Sequence, residues 1–174
     1  VLEIGSFRGN AAAALYFYLP LSKITCVDLF PDLFLYKSKR INNYYLDNSS
    51  EKEIQSKILI NDKKYDLVIE DAGHYYKDQI ISLFKIFQKL KKGGIYVIEE
   101  LDFPDTRADM NLKNDHPTLQ EILLLIKSNK DFDSSLVPKN EKQFFLSNYD
   151  TIEIIKGNFN NICFIKKKWN QNLS

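Results

Sequence analysis

The chain has little cysteine, two residues in 174, at Cys26 and Cys163. That leaves no disulfide framework to build, and both thiols fall in apolar strand-like runs where they behave as small buried hydrophobes. A reducing, cytoplasmic setting is therefore expected. Net charge is almost absent too, at +1, which removes the electrostatic case for nucleic acid or an acidic membrane surface. No apolar run approaches the ~18 residues of a membrane span, and no secretory leader is visible. Methionine is scarce: Met110 is the only one, and the chain opens on Val1 already inside a strand. This start predicts an N-terminal cap lying outside the chain. With 44% apolar and 27% charged residues, what remains is an ordinary globular composition, and 1–174 reads as a single domain with a sizeable core. The partner this leaves is a small molecule, with a homo-oligomer left open.

Strand and helix patterns alternate. Val1-Leu2-Glu3-Ile4-Gly5 reads as a strand running into a small-residue turn and an alanine-rich helix, and Ile24 to Val27 as a second strand delivering Asp28. Pro31 to Lys39 suits a short helix, and Ile41 to Leu46 a third strand ending at Asp47. Ser50-Glu51-Lys52-Glu53 has the spacing of a capping box opening a helix to about Ile60. Tyr65 to Glu70 is apolar enough for a strand buried on both faces. The apolar stripe from Tyr75 to Lys91 predicts a helix, ended by Gly93-Gly94, with Ile95 to Ile98 as the fifth strand. A polar loop, Asp102 to His116, leads to a helix from Pro117, with His116 at its start, and borders the expected substrate pocket. Thr151 to Lys156 and Ile162 to Lys166, joined by a short turn, predict a hairpin whose last strand is antiparallel. Lys166 to Lys168 reads as a solvated end, and most tyrosines and phenylalanines as core residues.

A nucleotide-type cofactor is implied by the first two strands. Gly5 and Gly9 let backbone approach a ligand, and Asp28 is placed to accept hydrogen bonds from a ribose diol. The spacing G-x-G-x-x-G is missing, because Gly5 is followed by Ser6-Phe7-Arg8 before Gly9. This argues against a dinucleotide and for a ligand without a pyrophosphate.

A second constellation is more chemical. The fourth strand ends Glu70-Asp71-Ala72-Gly73-His74 and the fifth Ile98-Glu99-Glu100. In an open parallel sheet both ends emerge at one ligand face. Asp71, Glu99 and Glu100 would repel one another unless a cation sat between them, and oxygen-only ligation suits Mg²⁺. His74 can accept a proton near neutrality. The alternatives for these residues are a helix cap for Asp71, a helix-start role for His74, and one cofactor contact plus one solvated residue for Glu99 and Glu100.

Taken together, VLEIGSFRGN, Asp28, Asp47 and the closing hairpin resemble the class I S-adenosylmethionine-dependent methyltransferases. The resemblance covers nearly the whole chain and implies an α/β fold, a Rossmann-like doubly wound sheet of seven strands, mostly parallel, with a C-terminal antiparallel hairpin. It implies Glu3, Gly5, Ser6, Gly9, Asp28, Leu29, Asp47, Glu70 and Asp71 as cofactor contacts, with Asp28 on the ribose and Asp47 toward the adenine. The Asp71…His74 spacing and the strand ending GGIYVIEE resemble the metal-dependent group of macrolide-sugar, cephalosporin hydroxylase-like and rhamnosyl O-methyltransferase-like proteins. That implies Asp71, Glu99 and Glu100 as Mg²⁺ ligands and His74 as general base, acting on a hydroxyl of a sugar-like or glycoside substrate. The chain departs from the group in having Glu100 where Asp is commoner, and the extra methylene is expected to move that carboxylate outward. Two other readings stay open: a metal-independent small-molecule methyltransferase, and a non-catalytic cofactor-binding scaffold.

Overall fold

The computed structural model describes residues 1–169. Seven strands form one sheet in the order β3-β2-β1-β4-β5-β7-β6. They are β1 (Leu2–Ile4), β2 (Ile24–Asp28), β3 (Ile41–Tyr45), β4 (Tyr65–Glu70), β5 (Leu90–Ile98), β6 (Tyr149–Lys156) and β7 (Asn161–Lys167). Neighbours among β1 to β5 pair parallel, whereas β7 runs antiparallel to both β5 and β6. The doubly wound sheet and its closing hairpin are therefore as the sequence reads. The strand order reverses between β1 and β4, which opens a crevice at their carboxyl ends.

Among the described residues six α-helices accompany the sheet: α1 (Asn10–Tyr18), α2 (Glu51–Ile54), α3 (Tyr76–Ile86), α4 (Phe103–Thr106), α5 (Leu119–Lys127) and α6 (Lys139–Asn148). Alternation along the strands divides the core in two. Leu2, Ile4, Val27 and Val68 pack with Ile80, Leu83 and Phe84 of α3, while Ile24 and Cys26 pack with Ala12 of α1. Both cysteines are free and buried. No helix among the described residues is long and apolar enough to cross a membrane.

Several boundaries differ from the sequence reading. The long helix ends at Ile86, and after a 3₁₀ turn (Phe87–Lys89) the strand starts at Leu90. Gly93 and Gly94 thus lie inside β5; Gly93 has φ +71°, and a Cβ there would sit 2.4 Å from the Trp169 ring. Between β2 and β3 only a 3₁₀ turn (Pro31–Leu33) forms, because the Asn43 amide takes the Pro31 carbonyl and Leu35 bonds Arg8. Ser50 accepts from the Glu53 amide, but the Glu53 carboxylate pairs with Lys57 and leaves the box half closed. A complete capping box belongs instead to Thr118 and Glu121, so α5 starts at Leu119.

Lys167 is not solvated. It is 7% exposed, donates to the Leu90 carbonyl at 2.8 Å and lies beside the Phe87 and Phe144 rings; burial pushes its pKa down to about 8. The aromatic residues divide more evenly than expected. Phe84, Phe87, Phe132, Phe145, Tyr65 and Tyr96 are buried, but Phe17, Tyr18, Phe30, Tyr36, Tyr44 and Phe159 are exposed. Strand alternation cannot reveal that β3 is a sheet edge with little laid over it.

Candidate functional site

The carboxyl ends of β1, β2 and β4 enclose a cleft of about 290 Å³, lined among others by Gly5, Phe7, Asp28, Leu29, Asn48 and Asp71. Gly5 has φ +89°, and a Cβ on it would lie 2.0 Å from the Asp71 carbonyl oxygen. Only glycine lets the end of β1 turn against the end of β4. Gly9, also left-handed, precedes α1 and faces the Phe34 ring, so its smallness serves packing. Asp28 accepts from the Phe7 amide at 2.7 Å and the Phe30 amide at 2.8 Å, one per oxygen. A carboxylate has about four acceptor positions, so two remain for a diol.

The other expected cofactor residues are distributed around this cleft. Glu3 is buried beneath it, its pKa pushed up to about 7 mainly by burial, with the Cys26 thiol at 3.3 Å from Oε2. Ser6 is buried, and its Oγ has no hydrogen-bond partner among the described residues. Leu29 is exposed at the rim. Asp47 turns to Ser49, accepting from its amide at 2.9 Å and its hydroxyl at 2.7 Å, while Leu46 and Asn48 line the cleft beside it. Glu70 is fully buried, and burial raises its pKa to about 8.

Next to the cleft, β4 and β5 bring acidic groups and an imidazole together. One ligand atom each from Asp71, His74 and Glu100 lies within 4.8 Å of the others. His74 Nε2 is 2.9 Å from Glu100 Oε2 and 3.5 Å from Asp71 Oδ1. Glu99 stands outside that trio; its amide donates to the Glu70 carbonyl at 3.0 Å. Its charge still acts on the group, because burial and then Glu99, Glu100 and Glu3 raise Asp71 to about 7. Burial lowers the His74 pKa, with the Glu100 charge opposing. Glu100 therefore does not swing outward, as its longer side chain predicts, but meets His74, and Asn160 of the hairpin turn approaches its other oxygen at 3.4 Å. Both residues are left-handed, His74 at φ +55° and Glu100 at φ +52°. For non-glycine residues this costs about 1–3 kcal/mol each.

The polar loop holds itself in place rather than offering free charges. Asp102 accepts from the Asn161 amide, Asp105 from Thr118 and Gln120, and Arg107 pairs with Asp109. Phe103 of α4 lies edge-on to His74 at 5.6 Å. His116 pairs with Glu121 at 2.8 Å at the start of α5, outside the cleft. Sequence reasoning did not single out Phe7, Phe30 and Asn48 as cleft residues or Asn160 as a neighbour of Glu100. No local signal marks them, since each arrives through chain reversal.

The donor set fits a hard divalent cation: the Asp71 and Glu100 carboxylates meet beside His74, and burial and then the neighbouring carboxylates raise Asp71. The cleft likewise fits a nucleoside, through the spare acceptors of Asp28 at its rim.

No family model matches the chain, and no curated protein matches it. Solved structures do. MycE, a methyltransferase from the mycinamycin biosynthetic pathway in complex with Mg and SAH, superposes with TM-score 0.70 at 19% identity, over 96% of this chain and 44% of MycE. An O-methyltransferase family protein from Burkholderia thailandensis gives TM-score 0.57 at 11% identity, over 96% of this chain and 50% of that one. The N-methyltransferase NodS from Bradyrhizobium japonicum, in complex with SAH, gives 0.55 at 13% identity, over 95% and 75%. The chain thus spans under half the length of MycE and has the Rossmann-like fold of these methyltransferases.

Proposed function

We propose that this chain is an S-adenosylmethionine-dependent methyltransferase domain that methylates a hydroxyl of a small polyhydroxylated, sugar-like molecule with the help of Mg²⁺. The observation that carries the reading is the meeting of Asp71, His74 and Glu100 beside a cleft whose rim is Asp28. The Mg- and SAH-bound state of MycE supports the choice of cofactor and ion. The NodS likeness keeps an amine acceptor as the competing possibility.

In this reading Asp28 holds the ribose hydroxyls, Gly5 and Ser6 face the methionine end, and the cofactor brings its own electrophilic methyl group. Asp71 and Glu100 would hold the ion, with the Glu99 charge acting on Asp71 from outside the trio. When bound, Mg²⁺ supplies positive charge that stabilises a developing oxyanion. A hydroxyl held between Asp71 and Glu100 would lie within reach of His74 Nε2, which is 3.5 Å from Asp71 Oδ1 and 2.9 Å from Glu100 Oε2. Burial keeps that imidazole neutral and able to take the proton. The 2.9 Å contact between His74 Nε2 and Glu100 favours one further reading, in which the imidazole and Glu100 act as a pair sharing one proton and no metal is needed.

The test is calorimetric titration of S-adenosylmethionine, followed by transfer of a labelled methyl group to sugar and glycoside acceptors with Mg²⁺ and then with EDTA. Saturable cofactor binding and EDTA-sensitive transfer support the proposal. Transfer unaffected by EDTA selects the metal-independent form. Cofactor binding without transfer to any acceptor selects the scaffold reading, and absence of cofactor binding overturns the proposal.

A further inference from the structure

Gln79 is a neutral polar side chain to which the chemistry above gives no task. It lies on α3, which starts two residues past His74, and is 1% exposed in the same buried run as Ile80, Ile81 and Leu83. Burying an amide in an apolar layer costs free energy unless its groups find partners. Only half of this one does. Its nitrogen donates to the Glu100 carbonyl at 3.1 Å, while Oε1 is buried with no partner among the described residues. A carbonyl oxygen only accepts, so the nitrogen must be the end that faces it.

The bond is not needed to satisfy Glu100. The Phe103 amide already donates to the same carbonyl at 3.1 Å, so that oxygen has a partner without Gln79. An apolar side chain of similar shape in place of Gln79 would remove the orphaned oxygen and cost the fold little. What the bond adds is placement. The Phe103 contact is local to the turn, and the Leu101 amide holds the same peptide to the Asn161 carbonyl of the hairpin at 2.9 Å. The bond from Gln79 ties that peptide to α3, the helix that His74 leads into. Glu100 is left-handed at φ +52°, a backbone state that holds only where surrounding contacts over-determine it. From this position Oε2 reaches His74 Nε2 at 2.9 Å, and Oε1 lies 3.4 Å from Asn160 Nδ2.

We propose that Gln79 is a positioning residue for the transfer reaction: its bond to the Glu100 carbonyl sets the Glu100 carboxylate against His74. The catalytic half of this rests on the function proposed above. Both forms of that function, with Mg²⁺ or with a shared proton, need the carboxylate where it stands.

The experiment compares the parent chain with Gln79→Met, which removes the donor at similar volume. In the parent, an NMR Overhauser contact between the Gln79 side-chain amide and the Phe103 amide is expected, because both donate to one oxygen. A strong contact between the Glu100 amide and its own α-proton should mark the left-handed backbone. In Gln79→Met the Glu100 and His74 amide signals should shift or broaden, while the melting temperature stays level or rises. Calorimetric affinity for S-adenosylmethionine should stay as in the parent. Methyl transfer should fall about tenfold or more in kcat, with KM for the cofactor unchanged. Absence of the Gln79–Phe103 contact in the parent, unmoved Glu100 and His74 signals in the variant, or an unchanged kcat would each overturn the proposal. A lower melting temperature, or a variant that does not fold, would overturn it too, as the mark of a packing role. A parent chain that transfers no methyl group would sink the functional reading and the catalytic half with it, while the Glu100 signals still decide the geometric half.

Discussion

His74 and Glu100 are two non-glycine residues held left-handed and in contact at 2.9 Å. The cost of that backbone persists only because neighbouring groups fix it. If His74 is the base, His74→Ala should lower methyl transfer about 10²–10⁴-fold, with little change in the calorimetric affinity for S-adenosylmethionine. The ion makes a separate demand on Asp71. Asp71→Asn removes one of the charges that repel Glu99 and Glu100, and Mg²⁺ titrated calorimetrically should then bind at least about tenfold more weakly. Unchanged Mg²⁺ binding would remove Asp71 from the ligand set. Asp71, His74, Glu99 and Glu100 were all legible as candidates, because strand-end carboxylates and a histidine three residues on are written in order. That Glu100 meets His74 while Glu99 stands apart was not legible, since it depends on how the chain turns at Glu100.

Among the elements, β1, β2 and β4 were read closely, because short apolar runs bounded by turn residues leave little choice. The helix ending at Ile86 and the strand starting at Leu90 were misplaced, because Gly93-Gly94 imitates a helix stop while serving as an irregularity inside β5. Helix α6 was not foreseen at all: KNEKQFFLSN offers only Phe144, Phe145 and Leu146 as apolar residues. Yet Phe145 is fully buried, 4.7 Å from the Phe87 ring centre and 5.1 Å from that of Phe84. Phe145→Ala should cost about 3–5 kcal/mol, read from urea denaturation. Gly5→Ala tests the other kind of constraint. Its Cβ would collide with the Asp71 backbone, so we expect loss of stability and of cofactor binding together, seen by thermal unfolding and calorimetry.

At the scale of the whole molecule, buried carboxyls dominate the pH response. Glu70 is raised to about 8, Glu3 and Asp71 to about 7 and Asp78 to about 6, in each case chiefly by burial. The unfolded chain releases these protons near pH 4, so between about pH 4 and 8 the native state binds more of them. Stability should therefore fall as pH rises through that window. His74 and the Val1 amino group, both lowered chiefly by burial, contribute with the opposite sign but are two groups against four. The melting temperature is expected to drop from pH 5 to pH 8, and Glu70→Gln should flatten the slope. A melting temperature rising across that range would contradict the assignment.

The sequence by itself determined the parallel strands, the hairpin and the identity of the carboxylates, because apolar periodicity, turn residues and strand ends are local properties of a chain. The tertiary structure alone decided which carboxylate touches His74, why Gly5 must be glycine, and that β3 is left as a sheet edge. Those outcomes depend on which backbone passes against which, and residues far apart in sequence carry no local record of their meeting.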